Sequence, residues 1–394
     1  MTPRPIIAAL ALGLALGACL EQQPLDPTLW EHLDVVEDTV ALEARVTYLG
    51  GEELPVVAAA DAQGGGAAGY KMKQIARVSP PVVAGVQLQA SHLVRDGSRA
   101  FVGYNVRGDV FRGGVDVFDQ LNGEEPRLRA QALLYDSEIS SVDLSGGSLY
   151  LATATADESF RSPAVLEVMS VDNGAKSLIS TARVELSSFA GTGVRAFGGE
   201  VFTTSGSNGH VTVFDGALRP VFSDALADAR AVDVNDAYFV AMRGTPGLLR
   251  VYDRGARRVL RDIPLGGANT PNAKSSLFLV GDLAFAAAGD GGVVVANVAT
   301  GQVLERLAAP PGPGISVSNG LAWYKDLLFV ANGEGGLWMA QATRDLDRLG
   351  GAAPDFHIVG RIDLSGSANF VEVKGDLLFV ATGLAGLTIV EFDN

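Results

Sequence analysis

Along most of this 394-residue chain, apolar and polar positions alternate in short runs that are broken by tight turns, and the runs recur. The clearest unit is Asn369 to Asp393, NFVEVKGDLLFVATGLAGLTIVEFD. It reads as three strands of about five residues each, the period-two signature of half-buried β-structure. Seven copies occur. The second strand of each carries an aromatic residue: Phe101, Tyr150, Phe202, Phe239, Phe285, Phe329 and Phe379. Four residues earlier comes a turn, at Gly97, Gly146, Gly198, Asn235-Asp236, Gly281-Asp282, Lys325-Asp326 and Gly375-Asp376. Most of these residues take positive φ at little cost, as hairpins require. The third strand ends in Asp119, Asp172, Asp215, Asp253 and Asp393, with Asn297 and Gln341 in the fifth and sixth copies. An Asp there accepts bonds from the backbone that follows it, so these acids are assigned to turn formation rather than catalysis.

A fourth strand, such as Phe356–Leu364, precedes each new copy. Four strands per unit at a period of about 45 residues specify an all-β, seven-bladed β-propeller. The last copy has no fourth strand after it. Tyr70–Val78, YKMKQIARV, is expected to supply one, closing the ring and leaving no free edge. The propeller is therefore assigned to residues 70–394.

The repeat unit resembles the LVIVD repeat of bacterial and archaeal surface propellers. Blade seven carries the likeness through Gly375, Asp376, Phe379, Val380, Ala381, Gly386, Leu387 and Asp393. Blade six carries it through Phe329, Val330, Ala331, Gly335, Gly336 and Leu337, without the final Asp. The resemblance covers most of residues 90–394. It implies a surface or binding role and no particular reaction, since a fold does not supply a function.

The first 18 residues have a different pattern. Arg4 precedes an apolar run, Ile6 to Ala18, that is shorter than the roughly 20 residues a membrane span needs and suits a signal-peptide core. Leu16-Gly17-Ala18-Cys19 resembles the bacterial lipobox, which implies cleavage before Cys19 and acylation of that residue. Cys19 is the only cysteine, so no intramolecular disulfide is available. Leu20 follows it, where the inner-membrane retention signal of enteric bacteria has Asp; an outer-membrane location in the cell envelope is expected. Residues 19–69 read as a lipid-anchored stalk and linker. Leu29, Leu33, Val36 and Val40 recur at helical spacing after a Pro27 start, and QGGGAAG (63–69) reads as a flexible linker. The short helix has two readings of equal weight: it pairs with another copy, or it lies on the propeller.

A formal charge of −15 disfavours nucleic acid as a partner. The expected contacts are the membrane, through the lipid, and a protein or polysaccharide of the envelope. His32, His92, His210 and His357 fall in separate segments without zinc spacing. No phosphate loop or nucleophile elbow is present, and no cofactor or resident metal is expected.

Two features locate a candidate site. The second-to-third-strand loops are long in blades one and two only. They carry Arg107, Asp109, Phe111 and Arg112, then Asp157, Glu158, Phe160 and Arg161. Exposed Arg and aromatic side chains are common interface anchors; alternatively, the loops cover a blade edge and pair their charges internally. The second feature is the residue ten before each aromatic, at the channel mouth: Ser91, Ser140, Thr192, Ala229, Ser275, Asn319 and Asn369. Six of the seven are small and polar. Such a ring either holds a small polar ligand or bonds the backbone of neighbouring blades. Glu138 and Asp228 lie near the same mouth and leave room for a cation such as calcium. The favoured function is a non-enzymatic, lipid-anchored binding or scaffold module. The alternative is a hydrolase or lyase acting on an extracellular sugar or lactone at the mouth.

Overall fold

The computed structural model describes residues 31–58, 70–108, 110–121, 125–171, 178–266 and 274–393. Cys19, the signal segment, the 63–69 linker, Asp109 and Asp172 lie outside them. Seven antiparallel four-stranded sheets form a closed propeller. Their innermost strands are Gln89–Asp96, Ser137–Ser145, Gly191–Phe197, Ala229–Val234, Leu277–Val280, Ser316–Tyr324 and Phe370–Lys374. No helix among the described residues is long and apolar enough to cross a membrane.

Closure occurs where the sequence predicts it. Lys71–Val78 pairs with Leu387–Asp393, in register from Lys71 with Asp393 to Val78 with Leu387. The second-strand aromatics supply much of the packing between blades: Phe101, Phe239, Phe285, Phe329 and Phe379 are fully buried. The strand-ending acids act as turn formers at Asp215, whose Oδ1 accepts from the Ala217 and Arg219 amides, and at Asp253, whose Oδ1 accepts from Ala256. Asn297 does the same for Ala299 and Thr300. Asp119 instead binds Arg129 Nε at 2.7 Å.

The segment before the propeller differs from the expected helical stalk. Its described part is an arm laid along the outer edges of three blades. Leu33–Val36 adds a fifth strand to blade one. Val46–Leu54 adds one to blade seven and Val57–Ala58 one to blade six. The helix is only Thr39–Glu43, capped by Asp38, whose Oδ1 accepts from the Val40 and Ala41 amides. Leu33 and Val36 therefore belong to a strand, and Val40 is 79% exposed, so they do not form one apolar stripe. Unpaired strand edges on the propeller rim outweigh the local helical spacing: pairing there satisfies two rows of backbone groups at once.

The arm also neutralises charges buried in the blades. Arg45 donates to both oxygens of Asp116, at 2.9 and 2.6 Å, and Tyr104 and Gln131 complete the shell of that carboxylate. His32 Nε2 lies 2.9 Å from Glu167 Oε1, which also accepts from Ser180. Leu42 is fully buried against blades one and seven.

Candidate functional site: the central channel

The seven innermost strands line a channel of about 870 Å³. Near its mouth most of these strands carry a β-bulge, and the bulged residue is left unpaired with its own hairpin. Ser91, Ser140 and Thr192 occupy this position in blades one to three. In blade four the bulged residue is Arg230, one place beyond Ala229. The repeat alignment is shifted there because blade four has a valine where the other blades have the aromatic. Val240, not Phe239, opposes Val251, the counterpart of Val117 and Val213 in blades one and three. The ring at the mouth is thus Ser91, Ser140, Thr192, Arg230, Ser275, Asn319 and Asn369, and every member is polar.

Four of these side chains clasp the next blade. Ser91 donates to Ile139 O at 2.8 Å, Thr192 to Ala229 O at 2.8 Å, Asn319 to Ala368 O at 3.1 Å and Asn369 to Ala90 O at 2.8 Å. In each case the acceptor is the carbonyl just before the next ring residue. The bulge takes the ring residue out of the backbone ladder and lets its side chain reach the joint, while Ser91 and Thr192 also touch their own hairpins at Gly103 O and Thr204 Oγ1.

The other three joints are held differently. A second ring lies three residues further along the same strands and includes Asp143, Arg195, Asp233 and Glu372. Asp143 accepts from the Ala196 amide at 2.7 Å, joining blades two and three, and Asp233 accepts from Leu279 at 2.7 Å, joining blades four and five. Arg195 bridges both acids, at 3.3 and 3.0 Å. Burial pushes the carboxyls of Asp143 and Asp233 up, and Arg195 pulls against it. Blades five and six are joined by a backbone bridge between Gly289 and Ser318. The strand alternation that places these charges was legible in the sequence; their interlocking across blades was not.

Some polar atoms at the mouth are left unused. Lys274 Nζ, Ser275 Oγ and Asn319 Oδ1 are buried without a hydrogen-bond partner among the described residues. Burial pushes the Lys274 ammonium down to about 7, against the pull of Glu138. Burial likewise pushes the Glu138 carboxyl up to about 7, opposed by Lys274 and by the Val106 amide. Deeper in the channel His92 stacks on Phe370, with ring centroids 3.8 Å apart. Sequence reasoning missed Lys274, which carries no motif and sits one residue before a ring position.

The remaining acids are separately engaged. Asp228 binds Arg230 Nε at 2.6 Å, and Asp157 binds Arg183 Nη1 at 2.8 Å. Among the described residues no three of His, Cys, Asp and Glu gather in a metal-binding group. Much of the long loops is tied to neighbouring strands of the propeller rather than to the loops' own charges. Phe160 lies under the Arg183 guanidinium, 5.0 Å from it, and the Arg161 amide donates to Glu185. Arg112 is held by the Phe111 and Tyr135 carbonyls. Arg107 and Glu158 are exposed. Phe111 packs on Phe189, centroids 5.7 Å apart, and Phe189 is 59% exposed at the channel rim.

No protein-family model and no curated protein matches this chain. Solved structures match it widely. A structure of RRP9 WD40 repeats superposes with a TM-score of 0.60 at 16% identity, covering 80% of this chain and 100% of the other. A structure of U3-55K gives 0.58 at 16%, covering 83% and 100%. BamB from Moraxella catarrhalis gives 0.51 at 15%, covering 89% and 100%. At such identities the likeness is one of fold: the chain is a β-propeller.

Proposed function

We propose that this protein is a non-enzymatic binding or scaffold propeller of the cell envelope, anchored by lipid on Cys19, with a protein or polysaccharide partner. The observation that best supports binding is the mouth of the channel. Four ring residues are consumed in holding blades together, while Lys274, Ser275 and Asn319 retain unused polar atoms beside an open cavity. Buried polar groups are nearly always paired in stable folds, so an unpaired cluster beside a cavity suits a ligand. The anchoring rests on the lipobox-like sequence, and an outer-membrane address on Leu20.

The alternative is a hydrolase or lyase acting on an extracellular sugar or lactone. In its favour is Glu138, whose carboxyl titrates near neutrality and suits proton transfer. Against it, Asp157 and Asp228 are each committed to an arginine, which leaves Glu158 as the other acid of the four expected near the mouth.

Two measurements test the proposal. Radiolabelled fatty acid should enter the wild-type protein in cells and not Cys19→Ser. Envelope extracts passed over the full-length protein should yield a reproducible partner, whereas turnover of a sugar or lactone panel that is lost in Glu138→Gln would replace the binding reading with the enzymatic one.

A further inference from the structure

We propose that the channel mouth binds a small organic carboxylate, whose charged end is taken by Lys274 Nζ and whose apolar body lies toward His92 and Phe370. This deepens the binding reading and rests on it. The ammonium of Lys274 offers three donors and has no acceptor among the described residues. The other cations of the channel each have an acidic neighbour, although Arg95 Nε is without a hydrogen-bond partner among the described residues. Arg230 is held by Asp228, Arg195 bridges Asp143 and Asp233, and Arg95 lies in the field of the Glu372 carboxylate.

Two groups near Lys274 can donate as well. Ser275 has a free hydroxyl, and near neutral pH the Glu138 carboxyl is protonated about half the time and can donate in that form. A carboxylate can accept from all three, and the free Asn319 Oδ1 remains for a donor on the same ligand.

The electrostatic field agrees. Burial is the main reason that His92 is pushed down to about 3, and the charges acting on it are those of Lys274 and Arg195, both positive. Both cations act on this part of the interior, although the protein as a whole carries −15 and the lining also holds Glu138, Asp143, Asp233 and Glu372. The flat face offered by His92 on Phe370 explains why an apolar body is specified rather than a bare inorganic ion.

Titration calorimetry of the full-length protein with benzoate, and with benzyl alcohol as its uncharged counterpart, tests this. Benzoate is expected to bind wild type at least tenfold more tightly than benzyl alcohol. Lys274→Met should weaken benzoate at least tenfold and leave benzyl alcohol unchanged, and Lys274→Arg should restore part of the loss. Thermal unfolding of each variant checks that it is folded. Absence of benzoate binding to wild type, or equal binding to Lys274→Met, overturns the proposal. Partner capture from envelope extracts is read separately: a captured partner with no benzoate binding overturns this inference alone. Benzoate binding without a captured partner keeps the carboxylate site and removes the scaffold role.

Discussion

On the outer rim, Arg45 meets Asp116 through two short hydrogen bonds, and His32 meets Glu167 at 2.9 Å. At the channel mouth, Lys274 Nζ meets no acceptor and Ser275 Oγ no partner. Both regions bury polar groups that folding alone does not require. On the rim each carboxylate is matched by a residue from a separate segment, which is how a tether is held, although His32 Nδ1 and Glu167 Oε2 have no partner among the described residues. At the mouth the amine itself has no acceptor among them, while Ser91, Thr192 and Asn369 of the ring are bonded across their joints. The contrast separates polar groups that hold the structure together from polar groups kept available.

The largest test of that contrast is Arg45→Met. It strands Asp116, which is 0% exposed, with only the neutral donors Tyr104 and Gln131. Breaking one side of a buried pair costs about 3–5 kcal/mol. Chemical unfolding should show a loss in that range; under about 1 kcal/mol, the arm is an ornament and the comparison fails.

Next is a pair of mutants within the mouth ring. Asn369→Ala removes the clasp from blade seven to blade one and should cost about 1–2 kcal/mol. Ser275→Ala removes a hydroxyl with no partner and should cost about 0.5 kcal/mol or less. Equal losses in unfolding midpoints would erase the distinction between clasping and spare ring residues.

Lys274→Met should stabilise the protein, by about 1 kcal/mol, because it removes a buried, unpartnered amine. The sign with pH follows from its lowered pKa. Between about 7 and 10.5 the unfolded chain holds the proton more tightly than the folded one, so wild type gains stability as pH rises through that window. The advantage of the mutant should be full below pH 7 and shrink toward pH 10.5. A constant difference across that range would show that the amine is not desolvated.

The smallest effect is expected on the rim. Burial works to lower the His32 pKa, but the hydrogen bond to Glu167 and the charge of that carboxylate outweigh it, and the net shift is upward. A raised histidine contributes stability that is fully present below about 6.5 and lost as pH rises through its folded value. The stability difference between wild type and His32→Gln should therefore narrow above pH 6.5. A difference that widened would mean that His32 is held neutral.

The blade count and ring closure were legible because each depends on local pattern. Alternation marks strands, turn residues mark hairpins, and Tyr70–Val78 was the remaining apolar strand available to Leu387–Asp393. The mouth ring was legible in six of its seven positions. It failed at Ala229 because Val240 stands where the other blades carry the aromatic, so aligning on Phe239 slipped the register by one, and such a slip moves a side chain to the other face. The arm was rightly placed against the propeller in one of its two readings, but misread as mainly helical, because strand addition to a blade rim is set by the acceptor edge, not by the periodicity of the added segment. The charged loops were legible as loops, yet their partners Arg183 and Glu185 lie on the outer strand of the same blade, Leu178–Glu185, with no local signal.

Ring closure also sets a clock. The strand Lys71–Val78 is made early, and its partner Leu387–Asp393 is the last strand of the seventh blade. At ordinary synthesis rates of about 5–20 residues per second, roughly 15–60 s separate the two. Throughout that interval the early strand lacks its neighbour in blade seven, and such an edge invites pairing with other chains. Any machinery that handles this chain before it folds must keep that free edge of Lys71–Val78 unpaired until the last strand arrives, even if Val46–Leu54 already covers the other edge.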